Sequence, residues 1–257
     1  MTLIHAACRV AGGVLFTLFL IGFVMLHGVS QFTEYGNLQP AVTGAMLSRM
    51  PSMSASEFSA AKSDALAYCQ KTGAEAFNLA DARPGLPNAT IRCADVAAAG
   101  GPDELRQILA AGVFDYVYYK DYACGFFDCL SQLHDQELAM MMVSGHAHEF
   151  FKSMMALSVA GIMAGLALMA YGIRRLFPVV RAVGIEMSIA GAASLAVSKV
   201  AEGAVPVEAA VNEAIAPLIS GLFDTLSGSF AVVLAVGVVV AAAGFIGSRG
   251  RKEKRRK

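Results

Sequence analysis

The sequence predicts an all-helical membrane protein with four transmembrane helices and an exported, disulfide-stapled α+β domain between helices 1 and 2. Composition is the first reason: 56% of the 257 residues are hydrophobic and 16% are charged, whereas about a quarter of the residues in soluble domains are charged. The second is the uncharged run 153–173, which Arg174 and Arg175 follow directly. Its helical length of about 31 Å is enough to cross a bilayer core of about 30 Å.

Segregation of the basic residues is the third reason, although the net charge is zero. Residues 1–9 contain one Lys or Arg and no acid, 174–181 contain three and none, and the tail 248–257 contains seven against one acid. Because short basic segments stay on the cytoplasmic side, we expect a multi-pass protein of the cell membrane with both termini cytoplasmic. We interpret the tail as a topology determinant that contacts anionic lipid, and we expect no nucleic-acid partner.

The acidic residues lie in the two segments between the basic ones. Glu34 to Lys152 contains fourteen acidic and eight basic residues, and Lys199 to Asp224 contains four and one. The alternation of basic and acidic segments is consistent along the chain. Residues 30–150 and 199–225 are therefore expected on the outer side of the membrane.

The first membrane helix is expected at 10–29, behind Arg9. An uncleaved anchor is favoured over a cleaved signal peptide, because the apolar core of a signal peptide usually has about 7 to 15 residues and no clear A-x-A site follows this longer run. Cys8 precedes the run and is expected to be a reduced cytosolic thiol.

The other membrane helices are expected at 153–173, 182–198 and 226–247. The third is the weakest of the four and is rich in small residues. Small residues let the backbones of neighbouring membrane helices approach closely, so we expect the second and third helices to form the closest pair. The residues of this expected contact are Gly161, Gly165, Gly184 and Gly191.

Local sequence patterns predict short elements in the exported domain. Ser54 and Glu57 have the spacing of a capping box, and Gly73 stands where a C-terminal cap is expected. An aromatic and β-branched run with four nearby tyrosines is typical of a strand, and its tyrosines are interpreted as closing a small core rather than stacking on a ligand. The predicted elements are helices at 55–71 and 102–111 and strands at 90–93 and 113–119.

Four of the five cysteines lie in the exported domain, which is an even number in a compartment that permits disulfides. Three pairings are possible. We favour Cys69 with Cys93 and Cys124 with Cys129, because the second pair is close enough in sequence to close a tight local loop. Each disulfide would stabilise the domain by about 2 to 4 kcal/mol, through the lower entropy of the unfolded chain.

Three charged residues within or beside the membrane helices are candidates for an ion pathway: Glu186, Lys199 and Asp224. Glu186 follows Arg181 by little more than one helical turn, so its carboxylate is expected to reach the interface or pair with arginine, with an ion or proton relay as the alternative. Apolar residues recur at three- and four-residue spacing over 207–226. This pattern predicts an amphipathic helix, interrupted at Pro217.

The weak candidates for metal ligands are His134, His146 and His148, which cluster ahead of the second membrane helix. On one helix His146 and His148 would point about 200° apart, so they could not chelate one ion together. We therefore interpret these histidines as polar residues at the membrane surface. No metal or other cofactor is expected.

No P-loop, Rossmann fingerprint, G-x-S-x-G or H-E-x-x-H motif occurs in the chain. The preferred hypothesis is a non-enzymatic envelope protein that presents the exported domain, residues 30–150, to a protein partner for binding or complex assembly. The alternative is a subunit of an oligomeric channel or transporter. Homo-oligomers are compatible with both hypotheses.

The charge pattern yields a topology that can be tested with single-cysteine variants in intact cells. We expect an impermeant thiol reagent to label a cysteine introduced at residue 100 and to leave one introduced at residue 250 unlabelled, because short basic segments remain cytoplasmic. Permeabilised cells, in which both positions should react, provide the control. Labelling of position 250 without position 100 would reverse the orientation.

Overall fold

The computed structural model describes residues 2–82, 87–173, 176–204 and 216–253, which are mostly helical. The described elements, in chain order, are α1 (Thr2–Thr33), α2 (Tyr35–Arg49), α3 (Ala55–Thr72), β1 (Ala76–Asn78), α4 (Leu79–Ala82), β2 (Thr90–Arg92), α5 (Cys93–Ala98), α6 (Pro102–Tyr118), α7 (Phe126–Gln132), α8 (Asp135–Met142), α9 (Gly145–Ile173), α10 (Leu176–Ala204) and α11 (Ala216–Glu253).

The chain divides into two compact units. The first, called the membrane unit here, comprises Met1–Phe32, Phe150–Val207 and Ile219–Lys257. The second, called the disulfide unit, comprises Thr33–Glu149 and Glu208–Leu218.

Among the described residues, four helices are long and apolar enough to cross a membrane, which supports the predicted multi-pass membrane protein. The lowest mean hydropathy of the four, 1.5, belongs to the third, in agreement with its small-residue composition. All four are longer than the runs expected from sequence. The candidate spans are Leu3–Thr33, Gly145–Ile173, Leu176–Val200 and Ser220–Ser248.

The loop expected at 174–181 is largely absent, because α10 already begins at Leu176. Pro178 lies in the first turn of α10. A proline is tolerated there because the first amides of a helix have no partner within the helix. Residues 174 and 175 lie outside the described part of the chain.

Of the amphipathic segment expected at 207–226, residues 207–215 lie outside the described part of the chain. On its N-terminal side α10 continues to Ala204, and on its C-terminal side α11 begins at Ala216, so Pro217 lies in the first turn of a helix. The chain beyond Pro217 continues without interruption into the fourth membrane helix. The proline therefore stands at a helix start rather than at a break.

Gly161 and Gly165 on α9 pack against α1, which makes the expected pairing of the second and third membrane helices wrong for these two residues. A Cβ added at Gly165 would lie 2.7 Å from the backbone nitrogen of Phe16, and Gly161 lies against the ring of Phe19. Gly12 on α1 contributes to the same close approach, because its Cβ would lie 2.7 Å from the nitrogen of Met169. A GxxxG pattern identifies a groove on a helix and does not identify the helix that fills it.

Gly184 and Gly191 on α10 pack against α11 and not against α9. A Cβ at Gly191 would lie 2.7 Å from the backbone nitrogen of Leu234, and one at Gly184 would collide with the backbone at Ala241. Gly237 on α11 belongs to the same helix contact, since a Cβ added there would lie 2.6 Å from the backbone nitrogen of Ser188. The membrane unit therefore contains two glycine-lined helix pairs, α1 with α9 and α10 with α11.

The disulfide unit has an apolar core of its own around a two-stranded antiparallel sheet. β1 pairs with β2 so that Phe77 stands opposite Ile91, and both side chains are buried. The rest of the buried cluster comes from the surrounding helices and loops, and its members are Cys69, Leu79, Ala89, Val96, Ala99 and Leu105.

The first helix predicted for this unit occurs as expected. Ser54 and Glu57 form the capping box of α3, in which the backbone nitrogen of Ser54 donates to Glu57 Oε2 at 2.7 Å. Gly73 ends the helix with φ 65°, a left-handed conformation that favours glycine. The short strand expected at 90–93 also occurs, as β2.

The strand expected at 113–119 is wrong, because α6 continues to Tyr118. Its buried residues Ala110, Phe114 and Tyr118 recur every four positions and form one helical face. The strand propensity of a residue reflects how well it fits a half-buried pleated surface. In α6, burial along this helical face outweighs that propensity.

The antiparallel helices α2 and α6 are tied together at both ends. Near one end, the Tyr35 hydroxyl donates to Asp115 Oδ1 at 2.5 Å. Near the other end, Arg106 Nη2 donates to the carbonyl oxygens of Leu47 and Met50 at 2.8 and 2.7 Å. These bonds satisfy carbonyls at the C-terminal end of α2, which would otherwise lack partners.

Both favoured cysteine pairs lie at disulfide distance. The Cα atoms of Cys69 and Cys93 are 6.2 Å apart, and those of Cys124 and Cys129 are 5.4 Å apart. The first pair joins the end of α3 to the start of α5 across the core, and the second closes a loop of a few residues at α7.

Glycine substitutions test the two helix pairs of the membrane unit. We expect Gly165→Leu and Gly184→Leu each to destabilise it by about 1–3 kcal/mol, since a side chain there collides with the neighbouring backbone. Gly228→Leu on α11 is the matched control, because a Cβ there meets nothing within 4 Å. Thermal unfolding in detergent measures the effect. Equal melting temperatures for Gly184→Leu and Gly228→Leu would contradict the α10–α11 contact.

Candidate functional site

Two adjoining hollows of about 480 and 400 Å³ lie on the surface of the disulfide unit, and together they are called the tyrosine cleft here. They share Thr90, Gly112 and Asp115. Tyr119 lines the larger hollow and Tyr35 lines the smaller one. The Asp115 carboxylate therefore borders both halves of the cleft.

The close approach of α6 to β2 positions this cleft. Gly112 is buried against β2, where a Cβ would collide with the end of the Ile91 side chain and would lie 3.5 Å from the carbonyl oxygen of Thr90. Because α6 lies directly on the strand at this point, the next turn of the helix, with Asp115, stands at the edge of the small sheet.

The hydrogen bond from Tyr35 to Asp115 defines the polar centre of the cleft. Burial, and secondarily the bond to Asp115 and its negative charge, raise the pKa of Tyr35 to about 12. The Tyr35 hydroxyl is consequently protonated at neutral pH and serves as a donor. One oxygen of Asp115 is occupied by this bond, and the carboxylate can accept further hydrogen bonds from a ligand.

Three aromatic rings pack around Tyr35. Its ring centroid is 5.5 Å from that of Phe114, 5.2 Å from that of Tyr118 and 5.7 Å from that of Tyr119. Tyr118 is buried, and its hydroxyl donates to the carbonyl oxygen of Thr33 at 3.2 Å. Tyr119 is 70% exposed, and its ring packs on that of Tyr35.

The remaining charged side chains of the cleft include two with contacts of their own. Arg92 pairs with Asp95 at 2.9 Å, and the Lys120 ammonium lies 5.3 Å from the ring centre of Tyr122. Asp121 is exposed at the rim. The cleft thus combines carboxylate acceptors, hydroxyl groups and an exposed aromatic face, the chemistry with which proteins bind polar ligands or segments of other proteins.

The predicted histidine cluster does not assemble a metal site in the described part of the chain, where no three His, Cys, Asp or Glu side chains are placed to hold one ion. His134 is the exposed N-cap residue of α8, and His148 Nδ1 lies 3.4 Å from Thr33 Oγ1. The ring of His146 packs near Tyr122, at 5.8 Å between centroids.

Glu186 in the membrane unit has a partner that the sequence did not indicate. Thr17 Oγ1 on α1 donates to Glu186 Oε2 at 3.0 Å. The expected arginine contact does not form, since Arg181 stacks on the ring of Phe245, 5.0 Å from its centre. Glu186 is ten residues beyond the start of α10 at Leu176, which is about 15 Å along the helix axis.

Two of the three residues proposed for an ion pathway, Glu186 and Lys199, lie far apart. Lys199 is thirteen residues beyond Glu186 on α10, so about 20 Å of helix axis separates them. Lys199 and Asp224 are both exposed. Thr17, which does contact Glu186, gave no sequence signal because a lone threonine is common in membrane helices.

No family model matches the chain, and no curated protein or solved structure matches it either. Function is therefore inferred from the geometry of the tyrosine cleft and of Glu186.

The raised pKa of Tyr35 predicts how the disulfide unit responds to alkaline pH. A tyrosine pKa raised above its usual value of about 10 contributes stability that is fully present below pH 10 and is lost as pH rises through about 12. We expect Tyr35→Phe to lower the free energy of unfolding by about 1 kcal/mol at pH 8. Between pH 10 and 12, the stability of this variant should fall less steeply than that of the wild type.

Thermal unfolding of both proteins across this pH range provides the measurement. Tyr119→Phe is the control, since it removes an exposed hydroxyl from a neighbouring ring. If stability fell as steeply at alkaline pH in Tyr35→Phe as in the wild type, Tyr35 would be ruled out as the source of that fall.

Proposed function

We propose that this protein is a non-enzymatic multi-pass membrane protein that presents residues 30–150 outside the cell membrane for binding or complex assembly. The tyrosine cleft is the observation that carries the proposal. It is an open, polar and aromatic surface on a unit with a core of its own.

The scaffold of the cleft suits recognition, because its walls are held by several independent contacts. Arg106 and the Tyr35–Asp115 bond tie α2 to α6 at both ends. Gly112 holds α6 against β2, and the Cys69–Cys93 pair ties α3 to α5. A surface that is already ordered loses little conformational entropy when it binds, so more of the contact energy appears as affinity.

The side chains of the cleft also favour binding. Tyrosine supplies a large contact area at a small entropic cost, and exposed tyrosines are enriched where proteins recognise partners. The exposed ring of Tyr119 stands beside the Asp115 carboxylate and the Asp121 rim. A partner could therefore stack on the ring and donate hydrogen bonds to the carboxylates at once.

Two sequence features support the outer location. The short segments 1–9 and 174–181, on the other side of the first two membrane helices, are basic, and short basic segments stay cytoplasmic, which leaves the segment between these helices outside. Disulfides form and persist in oxidising compartments, and both cysteine pairs of this unit are at bonding distance.

Crosslinking from the cleft in intact cells tests the proposal. A photoreactive phenylalanine analogue at position 119 of the full-length protein should yield a specific adduct, and Asp115→Asn should weaken it several-fold while the protein remains folded. The same analogue at position 56, on the exposed side of α3, is the matched control. The cleft would be excluded as the binding surface if both positions gave the same yield of adduct. It would also be excluded if Asp115→Asn left the yield from position 119 unchanged.

A channel or transport role is the second candidate, and the Glu186–Thr17 contact is the observation that favours it. Ionisable groups inside membrane helices are costly and commonly serve function. Ion flux into liposomes that contain the wild type or Glu186→Gln would test this role. Measurable wild-type flux that the substitution abolishes would support it, and the absence of flux in both would remove it.

A further inference from the structure

A groove of about 590 Å³ lies on the outside of the membrane unit where α1 meets α10. Its rim is apolar and exposed: Val10, Val14 and Leu18 are 66%, 56% and 63% exposed. The buried side chain of Met169 forms part of its lining. Because exposed aliphatic residues in a membrane helix face lipid, this groove is open to the hydrocarbon of the bilayer.

Glu186 provides the carboxylate of the groove. Its Oε2 accepts from Thr17, and its Oε1 lies over Gly13, where a Cβ would come within 3.1 Å of it. Gly13 and Thr17 are one turn apart on the same face of α1. The missing side chain at Gly13 therefore leaves room for the carboxylate beside the helix.

The contacts of Glu186 do not balance its charge. A single hydroxyl donor compensates little of the cost of placing a carboxylate within a membrane helix. Neither Arg9 nor Arg181, the two arginines nearest to it along these helices, forms an ion pair with it in the described part of the chain. A cationic group beside the carboxylate would supply the missing compensation.

We propose that this groove binds a lipophilic cation that enters from the bilayer. Its cationic group lies at Glu186, oriented by the Thr17 bond, and its apolar body packs on Val10, Val14 and Leu18. The Glu186 carboxylate and the opening of the groove toward lipid define this ligand class. The site is independent of the function proposed for the tyrosine cleft.

Arg9 lines the same groove, one turn before Gly13. Its removal therefore tests whether the ligand is positively or negatively charged. Its long side chain can extend away from the carboxylate toward headgroups. For a cationic ligand, Arg9 is repulsive and its removal should preserve or strengthen binding. For an anionic amphiphile, Arg9 would be the attractive group and Glu186 the repulsive one.

Equilibrium binding of radiolabelled tetraphenylphosphonium to the full-length protein in nanodiscs of uncharged lipid tests the proposal. We expect Glu186→Gln to weaken binding by about tenfold or more, which is the order expected for a charge pair at low dielectric. Arg9→Gln should bind as tightly as the wild type or more tightly. Val14→Trp should weaken binding by filling the groove while the carboxylate remains.

Asp64→Asn, which removes an exposed carboxylate from α3, is the matched control and should bind like the wild type. Wild-type affinity in Glu186→Gln, with an unchanged melting temperature, would overturn the proposal by showing that the probe only partitions into lipid. Loss of binding in Arg9→Gln with retention in Glu186→Gln would also overturn it, in favour of an anionic amphiphile. Neither result would bear on the crosslinking from the tyrosine cleft.

Discussion

Close packing at glycine is the constraint on which both units depend. In lipid the hydrophobic effect contributes little to the association of helices, so close packing has to supply much of the attraction. In the membrane unit, Gly165 brings α9 onto α1, and Gly184 brings α10 onto α11. In the disulfide unit, Gly112 brings α6 onto β2 and so places Asp115 at the edge of the sheet.

The same closeness determines which polar groups can meet. Gly13 lets the Glu186 carboxylate lie beside α1, within reach of the Thr17 hydroxyl. Asp115 likewise reaches Tyr35 because α2 and α6 pack along their length. Each carboxylate is thus oriented by a hydroxyl from a neighbouring helix, and each borders a concave surface. One faces an environment expected to be aqueous and the other faces lipid, so they suit different ligands.

Several features could be anticipated because they depend on neighbours in sequence. The capping box of Ser54 and Glu57 and the left-handed Gly73 are local backbone devices, and they predicted α3 almost to the residue. Other features were missed for the opposite reason. Helix α2 contains Gly36, Pro40 and Gly44, which disfavour helices, and its contacts with α6 through Tyr35 and Arg106 compensate for them.

The sequence by itself determined the four apolar helices, the caps of α3 and the candidate cysteine pairs, because length, composition and short spacing are properties of contiguous residues. Only the tertiary structure decided which glycine groove meets which helix, that residues 113–118 are helical, and that Thr17 pairs with Glu186 across 169 positions of sequence. Contacts between distant residues leave no periodic trace in either segment. Their energy arises only when the two surfaces meet.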